Sequence, residues 1–247
     1  MEQPRTAIVT GAGKRVGAAI AAGLAQRGWR VVAHVHHDDD MVGEGMTRVV
    51  ADLTDPDCAQ TIFAAAAAGL PPVRLLVNNA ARFAWDGFGA FDGGEFDAHM
   101  AVNVKAPLLL GEAFFVAQQN DRGEDALIVN LLDAKLAAPN PDFLSYTLSK
   151  QALAGLTEVA ARAYAGRGIR VNAIAPALML RSAGQGEENY RAMHAANPLG
   201  RGVAPGDVLA ALDYLIASPA VTGAVLTIDG GQRFAAPIRD LQFMETQ

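Results

Sequence analysis

The chain has 247 residues, 51% of them apolar, and carries 20 Lys and Arg against 26 Asp and Glu, a net charge of −6 with an isoelectric point near 5.3. That length supports one large α/β domain with a well-buried core and is short for two, and the apolar content excludes a disordered chain. An acidic chain lacks the basic face of a nucleic-acid reader, and no apolar run is expected to span a bilayer.

The first predicted strand, Thr6–Thr10, starts so early that no signal peptide is expected. The single cysteine, Cys58, has no internal disulfide partner, and both facts point to a reducing cytoplasm. The strand runs into Thr10-Gly11-Ala12-Gly13-Lys14-Arg15-Val16-Gly17 and then a helix, Arg15–Arg27. Glycines at such a turn let the backbone approach a pyrophosphate, while the helix N-terminus supplies N–H donors and positive potential. The second strand, Arg30–His34, ends in Val35-His36-His37 with no acid at its tip, where an NAD-selective site places one for the ribose hydroxyls. Lys14, Arg15 and His37 favour a 2′-phosphate there; Asp38, Asp39 and Asp40 count against it. The stretch His36–Met46 is too polar and glycine-rich for a full helix, which shortens the second crossover.

A third strand, Thr47–Ala51, leads into Asp52-Leu53 and a helix over Pro56–Ala68 that Thr54 or Asp55 is suited to cap. The fourth, Leu75–Val77, exits through Asn78-Asn79-Ala80-Ala81, whose amides can bond neighbouring backbone. There follow a helix over Glu95–Gln118, a strand over Ala126–Leu131, a helix over Leu144–Ala165, a strand over Arg170–Ile174, a helix over Pro205–Ala217 and a last strand over Val225–Ile228. Strand–helix–strand repetition at this spacing implies right-handed crossovers and a seven-stranded parallel sheet with helices on both faces. The residues from Ala177 to Val203 follow a strand end and are rich in Gly, Asn and charge, which suits either a substrate lid or an irregular surface loop. No metal site is expected: His34 and His36 share a strand face, but no acid or cysteine cluster converges on them.

Tyr146 and Lys150 stand four residues apart and share a helix face, with Asp133 thirteen residues before the tyrosine. An ammonium beside a phenol favours phenolate, which makes the tyrosine a proton donor and acceptor near neutral pH.

Taken together, the glycine turn, the Asn-Asn-Ala-Ala exit and Tyr146-x-x-x-Lys150 resemble the short-chain dehydrogenase/reductase family over nearly the whole chain. The resemblance implies a single Rossmann domain over residues 1–247, doubly wound, with a substrate lid at about 177–203. It also implies a homo-oligomer, a tetramer by analogy, whose tail from Phe234 to Gln247 reaches toward a neighbouring subunit. The family pattern T-G-x-x-x-G-x-G is met by Thr10, Gly11 and Gly17, with Arg15 in place of the middle glycine, where a guanidinium would suit a 2′-phosphate. By the same resemblance the cofactor is NADPH. It is held by Gly11, Gly13, Lys14, Arg15, Val16 and Gly17 at the turn; by His36 and His37; by Asp52 and Leu53 at the adenine; by Asn79 and Ala80; and by Tyr146, Lys150, Pro176 and Leu178.

At the reaction centre the resemblance gives Tyr146 the general acid's role, Lys150 the nicotinamide ribose and a lowering of the tyrosine pKa, and Asn103 the support of a proton-relay water. The family's catalytic serine is replaced by Asp133. A carboxyl that keeps its proton can donate to an imine nitrogen, which suits a pterin edge better than a ketone. Asp133, the Gly-Lys-Arg-Val-Gly turn, Val32–His36 and Phe83 all resemble pteridine reductases, with dihydromonapterin-type members nearest in the run from Ala175 to Leu180. Phe83 then stacks on the pterin, with Asp133 and Tyr146 completing the substrate site, or else packs in the core or lid. Arg82 is a candidate anchor for an anionic substrate tail, and Trp85 and Phe88 for widening or capping the pocket. Two other readings stay open: a carbonyl reductase or alcohol dehydrogenase on another small substrate, and an NADP(H)-binding protein without turnover.

Overall fold

Seven short runs of β-branched and aliphatic residues pair side by side, every pairing parallel, in the order β3-β2-β1-β4-β5-β6-β7. They are β1 Thr6–Val9, β2 Arg30–Val35, β3 Thr47–Val50, β4 Val73–Asn78, β5 Ala126–Leu131, β6 Ile169–Pro176 and β7 Val225–Ile228. The computed structural model describes residues 4–118, 125–181, 185–235 and 239–240. β4, β5 and β6 are buried along their whole length, as a sheet covered on both faces requires.

The covering helices are α1 Arg15–Gln26, α2 Cys58–Ala67, α3 Gly93–Met100, α4 Ala106–Ala117, α5 Leu144–Tyr164, α6 Glu187–Ala195 and α7 Pro205–Ala217. One core packs Ile20 and Leu24 of α1 and Val208, Leu212 and Leu215 of α7 on one sheet face; the other packs Ile62 of α2, Leu110 and Phe114 of α4 and Ala160 of α5 on the opposite face. Each fully buried side chain of this size contributes about 1.5–3 kcal/mol of transfer free energy. The sheet order turns back between β1 and β4, so the strand ends there open a crevice.

Three expectations are corrected. The single helix over Glu95–Gln118 is α3 and α4 joined by a π-turn at Ala101–Lys105, where the Ala106 N–H reaches back to the Ala101 carbonyl. Pro107 has no N–H to give the Asn103 carbonyl, and this missing donor unsettles the α pattern at that place. The continuous helix Gly93–Ala117 has 25 residues and a mean hydropathy of 1.4, so one stretch does have the length and composition of a bilayer span. Its apolarity is explained by the core, in which Ala106, Leu110 and Phe114 are buried. Finally, the region after β6 is not wholly irregular: α6 forms there with Glu187 and Glu188 in its first turn and His194 in its last, favourable ends for its dipole. Only Met193 of α6 is buried, so it lacks the apolar period that marks a helix in sequence.

In the tail, residues 236–238 and 241–247 lie outside those described. Arg239 binds its own chain, with Nε and Nη2 donating to the Asp142 carboxylate at 2.8 and 2.9 Å.

Candidate active site

At the end of β1 the Thr10 hydroxyl accepts the backbone N–H groups of Asn79 and Ala80, both at 3.0 Å. The Asn79 amide donates to the carbonyls of Thr10 and Gly11 at 2.8 and 3.3 Å. The exits of β1 and β4 thereby form one floor. Gly11 is left-handed at φ +65°, and a Cβ on Gly17 would stand 2.0 Å from the Gly11 carbonyl oxygen. Only glycine lets α1 start this close to the turn.

A histidine with no positioning role in the sequence expectations lies beneath it. His34 is buried; its Nδ1 accepts the Gly11 N–H at 3.2 Å, and its Nε2 donates to the Ala51 carbonyl at 3.0 Å. Burial lowers its pKa, in keeping with a neutral ring that can accept and donate at once. The signal was a histidine in the middle of the apolar run Val31–Val35.

Above the floor opens a cleft of about 650 Å³, within the range of ligand pockets. It is lined by Gly11, Gly13, Lys14, Arg15, Val16 and Gly17 from the turn, His36 and His37 from the end of β2, Asp52 and Leu53 after β3, Asn79 and Ala80 after β4, and Tyr146. Pro176, buried at the end of β6, Leu178, half-buried after it, and Lys150, buried on α5, are not among its lining residues. Asp52 is no helix cap: its carboxylate accepts the Thr54 N–H and hydroxyl, both at 2.8 Å, and these bonds hold it below the usual carboxylate range. Asp57 occupies the cap position of α2 instead of Thr54 or Asp55.

The charges at the cleft rim are partly engaged. Lys14 Nζ lies 3.9 Å from Asp40, whose pKa is lowered mainly by the backbone N–H of His37. Arg15, at φ +54°, donates from Nη1 and Nη2 to the carbonyls of Arg181 and Leu180 at 3.1 and 3.3 Å, tying the turn to the segment after β6. Arg48, from the next strand, braces the turn after β2 through the carbonyls of Asp40 and His37 at 3.0 and 3.3 Å. No local spacing marks Arg48, because its partners come from the neighbouring strand's exit.

Behind Tyr146, which lines the cleft, Asp133 follows β5 and accepts the Lys135 N–H at 2.8 Å and the Tyr146 hydroxyl at 3.0 Å. Although Asp133 keeps some exposure, burial raises its carboxyl above the usual range, against the pull of these bonds and of Lys150. Lys150 is buried on the same face of α5 and donates to the Leu131 carbonyl at 2.6 Å; burial lowers it to about 8. The expectation of a tyrosine tuned toward phenolate is corrected. Burial and the adjacent Asp133 carboxyl push Tyr146 well above its ordinary value. The Lys150 ammonium lies 5.7 Å from the tyrosine ring and is committed to Leu131. Tyr146 is therefore a phenol, and the group it shares a proton with is Asp133.

Asn103 is fully buried, and both polar atoms of its side chain are bonded. Its Oδ1 accepts the Arg82 N–H at 2.8 Å, and its Nδ2 donates to the Arg82 carbonyl at 3.0 Å and to Ser149 Oγ at 2.9 Å. Phe83 is about half exposed; it stacks on Phe143 at 4.4 Å and meets the Tyr146 ring edge-on at 4.8 Å. Arg82 is no free anchor for an anionic tail: its guanidinium grips the Glu95 carboxylate, with Nε at 2.8 Å. Trp85 and Phe88 both remain exposed.

A family model described as enoyl-(acyl carrier protein) reductase matches residues 11–233. Galactitol 2-dehydrogenase (L-tagatose-forming) of Cereibacter sphaeroides is 36% identical over 241 residues, covering 91% of this chain and 93% of that protein. Dihydromonapterin reductase of Klebsiella pneumoniae is 28% identical over 237 residues, covering 94% and 98%. The crystal structure of FolM alternative dihydrofolate reductase 1 from Brucella suis in complex with NADP superposes with a TM-score of 0.86 at 36% identity, covering 94% of this chain and 96% of that one.

Proposed function

The chain belongs to the short-chain dehydrogenase/reductase family, and on that premise we propose that it is an NADPH-dependent reductase of a dihydropterin-like C=N bond. One observation carries the reading: the Tyr146 phenol is hydrogen-bonded at 3.0 Å to a carboxyl whose pKa burial has raised, beside the exposed ring of Phe83. The glycine cradle at Gly11 and Gly17 and the cleft above it fit a dinucleotide, and the NADP complex of the Brucella protein supports that choice.

When bound, NADPH supplies the hydride. Backbone N–H groups at the start of α1 would hold the pyrophosphate, and Lys14, Arg15 and His37 would hold a 2′-phosphate. Lys150 would hold the nicotinamide ribose once it exchanges its bond to the Leu131 carbonyl. Phe83 stacks on the flat heterocycle and holds its edge against Tyr146. Tyr146 gives its hydroxyl proton to the substrate nitrogen, and Asp133, in its acid form, returns a proton to the phenolate left behind. Asn103 holds the Arg82 backbone in place beside the site. The segment at about 177–203, tied to the turn through Arg15, closes over bound ligands as a lid. Exposed Leu108 and Val116 on α4 and Leu148 and Val159 on α5 support a homotetramer built through these helices. The acidic chain with its single cysteine supports a cytoplasmic location.

A second reading has its own support. The galactitol dehydrogenase relative favours a polyol or ketose as substrate. The experiment is NADPH oxidation by the purified protein with dihydromonapterin, dihydrobiopterin and dihydrofolate, beside ketones and ketoses, and the reverse reaction with polyols. Pterin turnover lost in Asp133→Ala and Tyr146→Phe supports the proposal. Turnover of ketoses or polyols alone removes the pterin and keeps the oxidoreductase. Cofactor binding with no turnover of any substrate removes both.

A further inference from the structure

The segment between Arg82 and Asp86 is held at every second residue, each time from a different element. Asn103 in the π-turn takes the Arg82 N–H and carbonyl at 2.8 and 3.0 Å. His99 in α3 accepts the Ala84 N–H at Nε2, 3.2 Å, while its Nδ1 donates to the Glu95 carbonyl at 2.7 Å. Asp86 is bound to the start of α5: its main-chain carbonyl accepts the Leu144 N–H at 3.1 Å, its Oδ1 accepts the Ser145 N–H at 2.8 Å, and its Oδ2 accepts the Ser145 hydroxyl. The odd residues between them, Phe83 and Trp85, are 47% and 51% exposed. The backbone of the even residues is thus pinned, while Phe83 and Trp85 between them keep about half of their surface in solvent.

Asp86 is itself 1% exposed, a buried carboxylate within the first turn of a helix 21 residues long. α5 begins at Phe143, which has φ +54°, a conformation that side-chain-bearing residues rarely adopt, and Phe143 makes no side-chain cap of its own. The orphan N–H groups at that end take a carboxylate from 59 residues earlier in the chain. Ser145 directly precedes Tyr146, and Phe83, three residues before Asp86, touches Tyr146 and stacks on Phe143. One buried side chain therefore closes a ring of contacts through Phe83, Phe143 and Tyr146.

We propose that Asp86 is a positioning residue for the reaction: by capping α5 it locks the loop carrying Phe83 to the helix carrying Tyr146, so that the substrate ring and the proton donor keep one geometry. It acts through Ser145 and the helix start and touches no reacting atom. Its choice of assay substrate rests on the pterin reading above; its structural content does not. Asp86 does not line the cofactor cleft, so its loss is separable from loss of cofactor binding.

The test uses the full chain in a Trp29→Phe background, which leaves Trp85, the neighbour of Asp86, as the only tryptophan. In Asp86→Ala, kcat/KM for dihydromonapterin falls by about 100-fold, the size of a displacement of about 1 Å at a reaction centre. Acrylamide quenches Trp85 more strongly, and the NADPH Kd stays within about twofold of the parent, as for a distant independent site. Asp86→Asn recovers most of both signals, because an amide oxygen still accepts the Ser145 N–H and the NH2 group donates to the Ser145 hydroxyl. Unchanged Trp85 quenching and turnover in Asp86→Ala overturn the proposal. So does equal loss of NADPH binding, turnover and melting temperature in Ala and Asn, which marks a general structural role. If Asp86→Ala does not fold, Ser145→Ala, which removes only the hydroxyl bond, moves quenching and kcat/KM the same way by a smaller amount; no movement overturns the clamp. If the parent turns over no pterin, the functional reading falls, and Trp85 quenching beside NADPH binding still decides the clamp.

Discussion

Two lysines stand under opposite conditions, one at the rim of the cleft and one buried behind Tyr146. Lys14, at the phosphate turn, keeps 70% of its side chain in water and meets Asp40 at 3.9 Å. Lys150, at the reaction centre, is 3% exposed, donates to the Leu131 carbonyl at 2.6 Å, and burial lowers it to about 8. Around Lys14 water screens the ammonium, so its pair with Asp40 is individually weak. Around Lys150, Asp133 and Tyr146 burial makes every proton costly to move, and each group's state depends on its neighbours. The cofactor end recognises by sum; the reaction end acts as a unit.

The largest expected effect lies at the reaction end. Tyr146→Phe removes the hydroxyl that bonds Asp133, and turnover is expected to fall by about 10²–10⁴-fold with NADPH binding retained. A steady-state assay beside a fluorescence titration of NADPH checks the split. Similar losses in both measurements would show that the two ends are not separate.

Asp133→Asn comes next, with a loss of about 100-fold, and sharpens the comparison through pH. On the proposed mechanism, the parent's activity is expected to fall as pH rises through the raised Asp133 pKa, because only the acid form returns a proton to Tyr146. The Asn variant lacks that limb. Stability has the same sign. A carboxyl whose folded pKa is raised stabilises most fully below the ordinary carboxylate range, and the contribution is lost as pH rises through the folded value. Asp133→Asn therefore melts higher at neutral pH while working more slowly. Lys150 acts oppositely: the folded chain releases its proton near 8, the unfolded chain near 10.5, and stability rises with pH across that window in parent and variant alike. Melting curves against pH separate the two groups.

Gly17→Ala is the steric test of the cofactor end. The added methyl would stand 2.0 Å from the Gly11 oxygen, so the turn must open. Strain of this kind costs about 1–3 kcal/mol, or about 5- to 150-fold in affinity if the cradle bears it all. NADPH binding weakens while the Asp133-dependent pH limb is unchanged. A shift in that limb would couple the two ends.

The contrast between ends also explains what could be read from residues alone. The seven strands and their parallel pairing were legible because buried parallel strands are short apolar runs joined by helical crossovers; their order came only with the structure. The glycine turn and the pair Tyr146 and Lys150 were legible because one backbone approach and one helix face impose them locally. Asp86, His34 and Arg48 were not, since each takes its meaning from a partner on another element: Ser145, Gly11 with Ala51, and the exit of β2. The tyrosine's protonation was misread for the same reason. Helix spacing puts Lys150 beside it, but only the fold adds burial and the Asp133 carboxyl. The polar helix α6 escaped because it packs one side chain, Met193, and so carries no apolar period.

The smallest effect belongs to Arg15, where both ends of the comparison meet. It occupies the middle glycine position of the family turn in a left-handed conformation, which costs a side-chain-bearing residue about 1–2 kcal/mol. Arg15→Gly relieves that strain but widens the unfolded ensemble by about 0.4–1 kcal/mol, so the melting temperature changes little. The guanidinium has two candidate duties, a 2′-phosphate and the carbonyls of Leu180 and Arg181 that it holds in this structure. If it serves the phosphate, the variant's preference for NADPH over NADH drops by about tenfold, one charge-assisted contact's worth, and the substrate KM is unchanged. If it serves the segment after β6, the preference stays and the substrate KM rises, because the turn no longer holds the lid. Measuring Kd for both cofactors and KM for one substrate assigns Arg15 to the screened, additive end of the cleft or to the end that moves as a unit.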